Sequence, residues 1–242
     1  MRTRLSISAV LLWVLLLSLP VQAYIPSSEK IAAAVAAANR SAGRSGVLEV
    51  EVALYLGASE QPTATGKLLS DPGGLSRLEL RGPEGVVERH LLRGGELLAS
   101  RDRLVLDSPR PFLPPFFLLQ AKTGGALMAS LRTVGVSTYE VALGYEGDRY
   151  CYVLGGRAPV SSGPYPQPAL CVDQESLEPV RFDRGYGVRF RLGSFVDFGS
   201  LRLPSWIEIG DSRGVLARLE ILNAQAVTVP AESFRRGWLS AP

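Results

Sequence analysis

Histidine is all but missing from this chain. His90 is the only one in 242 residues, set in "VVERHLLRG" between Arg89 and Leu91. A lone histidine beside a glutamate on a strand is expected at the surface, because a general base or a metal ligand needs convergent partners. No GxSxG elbow, HExxH pair, P-loop or strand-to-helix GxGxxG occurs either, so the usual scaffolds of hydrolysis, zinc chemistry and nucleotide binding are absent. Carboxylates are plentiful but scattered among arginines, as Asp102 is between Arg101 and Arg103, and read as a salt-laced solvent face. No catalytic residue, metal or cofactor is expected. An extracytoplasmic hydrolase would require two carboxylates meeting across a sheet, and nothing in the pattern favours that.

Cysteine is scarce as well, with only Cys151 and Cys171, and no CxxC redox motif. If the chain is exported, an oxidising compartment predicts a disulfide between them, closing a loop of about 20 residues and adding about 3 kcal/mol. The alternative is two buried thiols on separate strands.

Export is what the first residues predict. Arg2 and Arg4 form a basic start, "LSISAVLLWVLLLSLP" an apolar stretch, and "VQA" a small-residue cleavage site ending at Ala23. The apolar stretch is short for a bilayer span and Pro20 closes it, which favours a cleaved signal peptide (1–23) over a retained anchor. Residue 24 is not cysteine, so a lipid-anchored leader is not expected. Removing Arg2 and Arg4 lowers the basic count from 26 to 24, against 23 acidic residues. A nearly neutral chain has no electrostatic motive for binding nucleic acid.

Residues 24–242 can bury one sizeable core and contain nothing that looks like a linker, so one domain is expected. "EKIAAAVAAANR" predicts a helix capped by Ser27 or Ser28, with Ile31, Ala34, Val35 and Ala38 on one narrow face. From Val47 the period changes to two. In "VLEVEVALY" Leu48, Val50, Val52 and Leu54 point one way while Glu49 and Glu51 point the other. "TATGKLLS", "LSRLELRG", "VVERHLLRG" and "ELLASRDRLVL" continue the pattern between "DPGG", "GPEG" and "GG" turns. It resumes in "YEVALGYEG", "RYCYVLGG", "ALCVDQES", "EPVRFDRG", "GVRFRLGS", "LRLPSWIEIG" and "GVLARLEILNA". The reading is α+β: about ten to eleven antiparallel strands in a strongly curved, unclosed sheet, with an N-terminal helix and a helical interruption near the middle.

That interruption is "SPRPFLPPFFLLQAKTGGALMASL", residues 108–131. Pro109, Pro111, Pro114 and Pro115 forbid a continuing strand. Phe112, Leu113, Phe116, Phe117, Leu118 and Leu119, then Leu127, Met128 and Leu131, supply apolar groups to fill the concave face, as a movable lid or as a permanent plug. The expected wall opposite them is Leu48, Val50, Val52, Leu54, Leu78 and Leu80, with Phe190 and Trp206.

At "LRLPSWIEIGDSRGVLARLEILNAQAVTVPAESF", and in the "LCVDQESLEPVRFD" hairpin, the chain resembles the LolA/LolB-like periplasmic lipoprotein carrier family. The resemblance follows the order of elements over most of residues 24–242, although only those two motifs are sharp. It implies an open, curved sheet whose mouth is covered by helices, with an apolar cavity for acyl chains of lipoproteins or free lipid. It further implies a soluble, monomeric periplasmic protein without catalytic activity, served by an inner-membrane donor and an outer-membrane acceptor. The family's lid-closing arginine has no evident counterpart, with Arg101 and Arg103 as stand-ins. A non-catalytic envelope scaffold with a filled core is the alternative function.

Overall fold

The computed structural model describes residues 25–156, 167–185 and 187–241. The expected signal peptide and its cleavage site lie outside them. Among the described residues no helix is long and apolar enough to cross a membrane.

Helix α1 (Ser28–Ser41) starts where the sequence places it, with the Ser27 side chain accepting a hydrogen bond from the Lys30 amide. Its buried face is Ile31, Ala32, Val35, Ala36 and Asn39, rotated from the expected one so that Ala34 and Ala38 are only half-buried. The rotation lets a second helix approach. A Cβ on Gly124 would come within 2.9 Å of Ala33 backbone, so only glycine allows α1 and the later helix this close.

Six strands follow α1: β1 (Val47–Leu56), β2 (Ala64–Ser70), β3 (Ser76–Arg81), β4 (Val87–Arg93), β5 (Glu96–Arg101) and the two-residue β6 (Leu104–Val105). The chain then leaves the sheet as a cover made of the proline segment, a 3-10 turn (Phe116–Leu119) and helix α2 (Gly124–Thr133). It returns as β7 (Val141–Glu146), β8 (Arg149–Leu154), β9 (Ala169–Asp173), β10 (Pro179–Gly185) and β11 (Val188–Leu192). After the hairpin β12 (Phe195–Phe198) and β13 (Leu201–Pro204) come β14 (Trp206–Asp211) and the long β15 (Gly214–Val227).

Thirteen strands form one antiparallel sheet in the order β6-β5-β4-β3-β2-β1-β15-β14-β11-β10-β9-β8-β7, while β12 and β13 pair only with each other. The sheet is curved and does not close, as expected, with more strands than the alternation alone separates. "LRLPSWIEIG" is two strands, because Pro204 ends β13 and Ser205 turns the chain into β14. The two halves meet at the centre, where β1 pairs with β15 from Val47 opposite Val227 to Leu56 opposite Ala217.

The concave face and the cover make one apolar core, from Ile31 and Val35 of α1 through β1 to β3, the cover and β9 to β15. The convex face carries two smaller ones. After β15 the chain runs back over the outside of β2 to β5, where Phe234 and Leu239 bury Leu69 and Leu91. Arg77 and Arg89 flank Trp238 there, with their guanidinium carbons 4.8 and 5.4 Å from its ring. Strand β4 is therefore covered on both sides, which is why Leu91 and Leu92 are both buried.

Candidate functional site, a covered concave face with an open mouth

The cover's nine apolar side chains, Phe112, Leu113, Phe116, Phe117, Leu118, Leu119, Leu127, Met128 and Leu131, are each at most 4% exposed. The structure brings them together with Leu48, Val50, Val52, Leu54, Leu78, Leu80 and Phe190 in the single main core. Trp206 is corrected: it shares the parity of Glu208 and faces outward, its ring over Gly193, where a Cβ would come within 2.6 Å. Ile207 and Ile209 take the inner positions instead. The proline at the strand join shifts the alternation by one residue, which local pattern does not reveal.

Polar side chains pin the cover in place. Asn39 Nδ2 donates to the carbonyls of Leu118 (3.2 Å) and Ala121 (3.3 Å), and Arg40 donates to the Lys122 carbonyl. Gln120, fully buried, donates from Nε2 to the carbonyls of Ser70 (2.9 Å) and Gly46, and accepts from Ser70 Oγ at 2.5 Å. Sequence reasoning passed over both residues, although each left a signal. Asn39 continues the Ile31–Val35 stripe at i+4, and Gln120 is the one amide in "PFFLLQA"; a polar group in an apolar row must find a partner.

A charged cluster holds the cover's first arm. The Glu88 carboxylate accepts from His90 Nε2 (2.8 Å), Arg101 Nη2 (2.8 Å) and Arg110 Nη2 (2.6 Å). Burial alone would raise the Glu88 carboxyl, but the His90 and Arg101 hydrogen bonds outweigh it and hold its pKa at about 2. His90 is corrected too: it is fully buried, its ring 5.6 Å from that of Phe112, because the cover lies over the inner face of β4. Neither stand-in for the lid-closing arginine reaches the apolar cover. Arg101 touches it only through the Glu88 that it shares with Arg110, and Arg103 is exposed in the β5–β6 turn.

The most deeply buried arginine is Arg44, just past α1. None of its three guanidinium nitrogens has a hydrogen-bond partner among the described residues, and its guanidinium carbon lies 5.0 Å from the Phe195 ring centre. Desolvation lowers its pKa to about 10 against the opposing pull of Glu178.

The space around the cover is unevenly divided. Beneath it lies an apolar cavity of about 20 Å³, lined by Pro115, Phe116, Leu118 and Leu119 on the cover and by Leu170, Phe182, Phe190 and Ile207 on the sheet. At the mouth lies an open groove of about 950 Å³, lined among others by Leu92, Leu97, Leu113, Pro115, Phe117, Phe182 and Phe190. Pro115, Phe182 and Phe190 line both.

The cysteines are not bonded to each other. They lie on paired strands, Cys151 opposite Asp173 and Cys171 opposite Val153, in a small convex-side core with Ala169 and Val180. In place of the expected disulfide there are two free buried thiols, the Cys151 pKa raised to about 11 and that of Cys171 higher still, by burial first. Among the described residues no group of three or more His, Cys, Asp or Glu side chains is placed to hold a metal ion.

By sequence the chain matches no family model and no curated protein. By structure it is similar to a LolA superfamily protein from Nitrosomonas europaea (16% identity, TM-score 0.54), covering 89% of this chain and 100% of that one. It is likewise similar to a putative outer membrane lipoprotein-sorting protein domain from Vibrio parahaemolyticus (12% identity, TM-score 0.53), with 89% and 100% covered. The chain therefore shares the fold of these two proteins: an open, curved antiparallel sheet with helices across its concave face.

Proposed function

We propose that the protein is a periplasmic, non-enzymatic carrier that binds acyl chains of lipoproteins or lipids and passes them toward the outer membrane. The observation that carries this reading is the open apolar groove, whose wall residues Pro115, Phe182 and Phe190 also line the cavity beneath the cover. The lipoprotein-sorting neighbour supports the cargo class by fold alone. The energetics fit a cover displaced by its ligand rather than one that swings open. Exposing nine buried side chains at about 1.5–3 kcal/mol each is out of reach for thermal opening, whereas each methylene that replaces such a contact contributes about 0.8 kcal/mol. A chain threading past Pro115 needs only part of the cover to move.

A second reading, an envelope scaffold with a filled core, draws on the 20 Å³ cavity, which is room for about one water and no more. Native mass spectrometry of the protein purified from bacterial periplasm separates the two. Co-purified acyl species at near-stoichiometric amounts are expected. A clean apo mass, with no uptake of a fluorescent fatty acid, would sink the carrier and leave the scaffold.

A further inference from the structure

We infer that Arg184 receives the anionic head, a carboxylate or phosphate, of an amphiphile whose acyl chain lies in the mouth groove. This rests on the carrier reading and adds what that reading lacks, a polar end to the site.

Arg184 stands on β10 two residues after Phe182, on the same concave face, and lines the groove with Leu113, Phe117 and Phe190. Nη2 donates to the Gly95 carbonyl in the β4–β5 turn at 3.1 Å. Six strands lie between β4 and β10 in the sheet, so this one bond bridges the two sides of the mouth where curvature brings them together. It uses one of the five N–H donors of a guanidinium.

No carboxylate among the described residues pairs with Arg184, and desolvation alone lowers its pKa, with no neighbouring charge contributing. Several other arginines are neutralised. On the same strand Arg181 is held by Asp183 and Glu146, and at the cover's first arm Arg101 and Arg110 share Glu88. A cation left unpaired and partly desolvated at the rim of an apolar groove is a receptor for an opposite charge that arrives with apolar surface attached. Arg184 lines the same groove as Phe182, Phe190 and Pro115, so head and chain have adjoining places.

The test compares dodecanoate with 1-dodecanol, each displacing a fluorescent naphthylamine probe at about pH 8, together with inorganic phosphate alone. Wild type is expected to prefer the carboxylate by about 10-fold or more, the size of one charge-assisted hydrogen bond. Arg184→Gln should erase that preference and leave dodecanol binding within about 2-fold, and Arg184→Lys should restore part of it. Phosphate alone should not displace the probe. Equal wild-type binding of both amphiphiles, or a preference that survives Arg184→Gln, overturns the head-group site while the carrier stands. Phosphate competing with dodecanoate while dodecanol fails to bind would mark a free-anion site and overturn it as well. Binding of neither amphiphile removes the carrier reading and this inference together. Thermal unfolding of both variants checks that the lost bond to Gly95 has not opened the sheet.

Discussion

Replacing Gln120 with leucine separates a cover from a plug. The substitution keeps the side chain's volume among Phe117, Leu118 and Ala121 but removes the amide that satisfies the Gly46 and Ser70 carbonyls and accepts from Ser70 Oγ. Ser70 Oγ keeps Ser76 Oγ at 3.0 Å, so the loss falls mainly on the two carbonyls. An orphaned buried acceptor costs about 1–3 kcal/mol. If the part of the cover around Gln120 opens locally, that energy is lost from its closed state alone. Amide exchange over residues 112–121 should then accelerate by about 5- to 150-fold, while β1, β15 and β14 keep their protection. If these residues are a plug, the cover and the central strands exchange only through global unfolding and must accelerate together. Equal acceleration across the cover and β15 would refute the idea that the cover is a separable element.

The Glu88 cluster sets an acid limit on stability. A carboxyl held at about 2 in the folded protein and near 4.5 in the unfolded chain contributes stability that is fully present above about pH 4.5 and is lost as pH falls toward 2. Its size is on the order of 2–3 kcal/mol, so Glu88→Gln should flatten the acid limb of a denaturation-midpoint curve and leave pH 7 to 8 behaviour parallel to wild type; an unchanged acid limb would remove Glu88 from the account. For the cysteines, maleimide should add two adducts per chain after denaturation without reductant. In the native protein labelling should be slow, because burial holds both thiols protonated at neutral pH. A mass lower by two hydrogen atoms and no adducts would restore the disulfide.

The alternation of β1 through β5 and β15 was legible because one face of each strand meets the concave core and the other mostly meets water. It failed where both faces are covered or the parity slips. His90 reads as a surface residue only if the inner face of β4 is open, and the cover that closes it comes from a segment twenty residues further along. Trp206 reads as inward only if the strand runs unbroken through Pro204 and Ser205, where the chain in fact turns from β13 into β14. The greasy run at 112–119 announced its burial, and its neighbours on β1 to β3 and Phe190 follow from the same rule. Arg184 gave no sign at all: within "VRFDRG" it looks like any other solvent arginine, and only the curvature that carries Gly95 to it makes it distinctive.

The pairing of β1 with β15 bears on how the chain is made. Val47 and Val227 are neighbours in space but 180 positions apart, and the other eleven strands of that sheet lie on one side or the other of the seam. A chain emerging from its N-terminus can assemble β1 to β6 early as a local meander. Its central strand then waits, one edge bare and its apolar face uncovered, until the last strand arrives. Closing so long a loop is slow, and during that interval the half-sheet is a template for pairing with other chains. The seam at β1 is thus the point at which synthesis and folding must be kept in step, and a chain cut short before Gly214 would carry the exposed edge permanently.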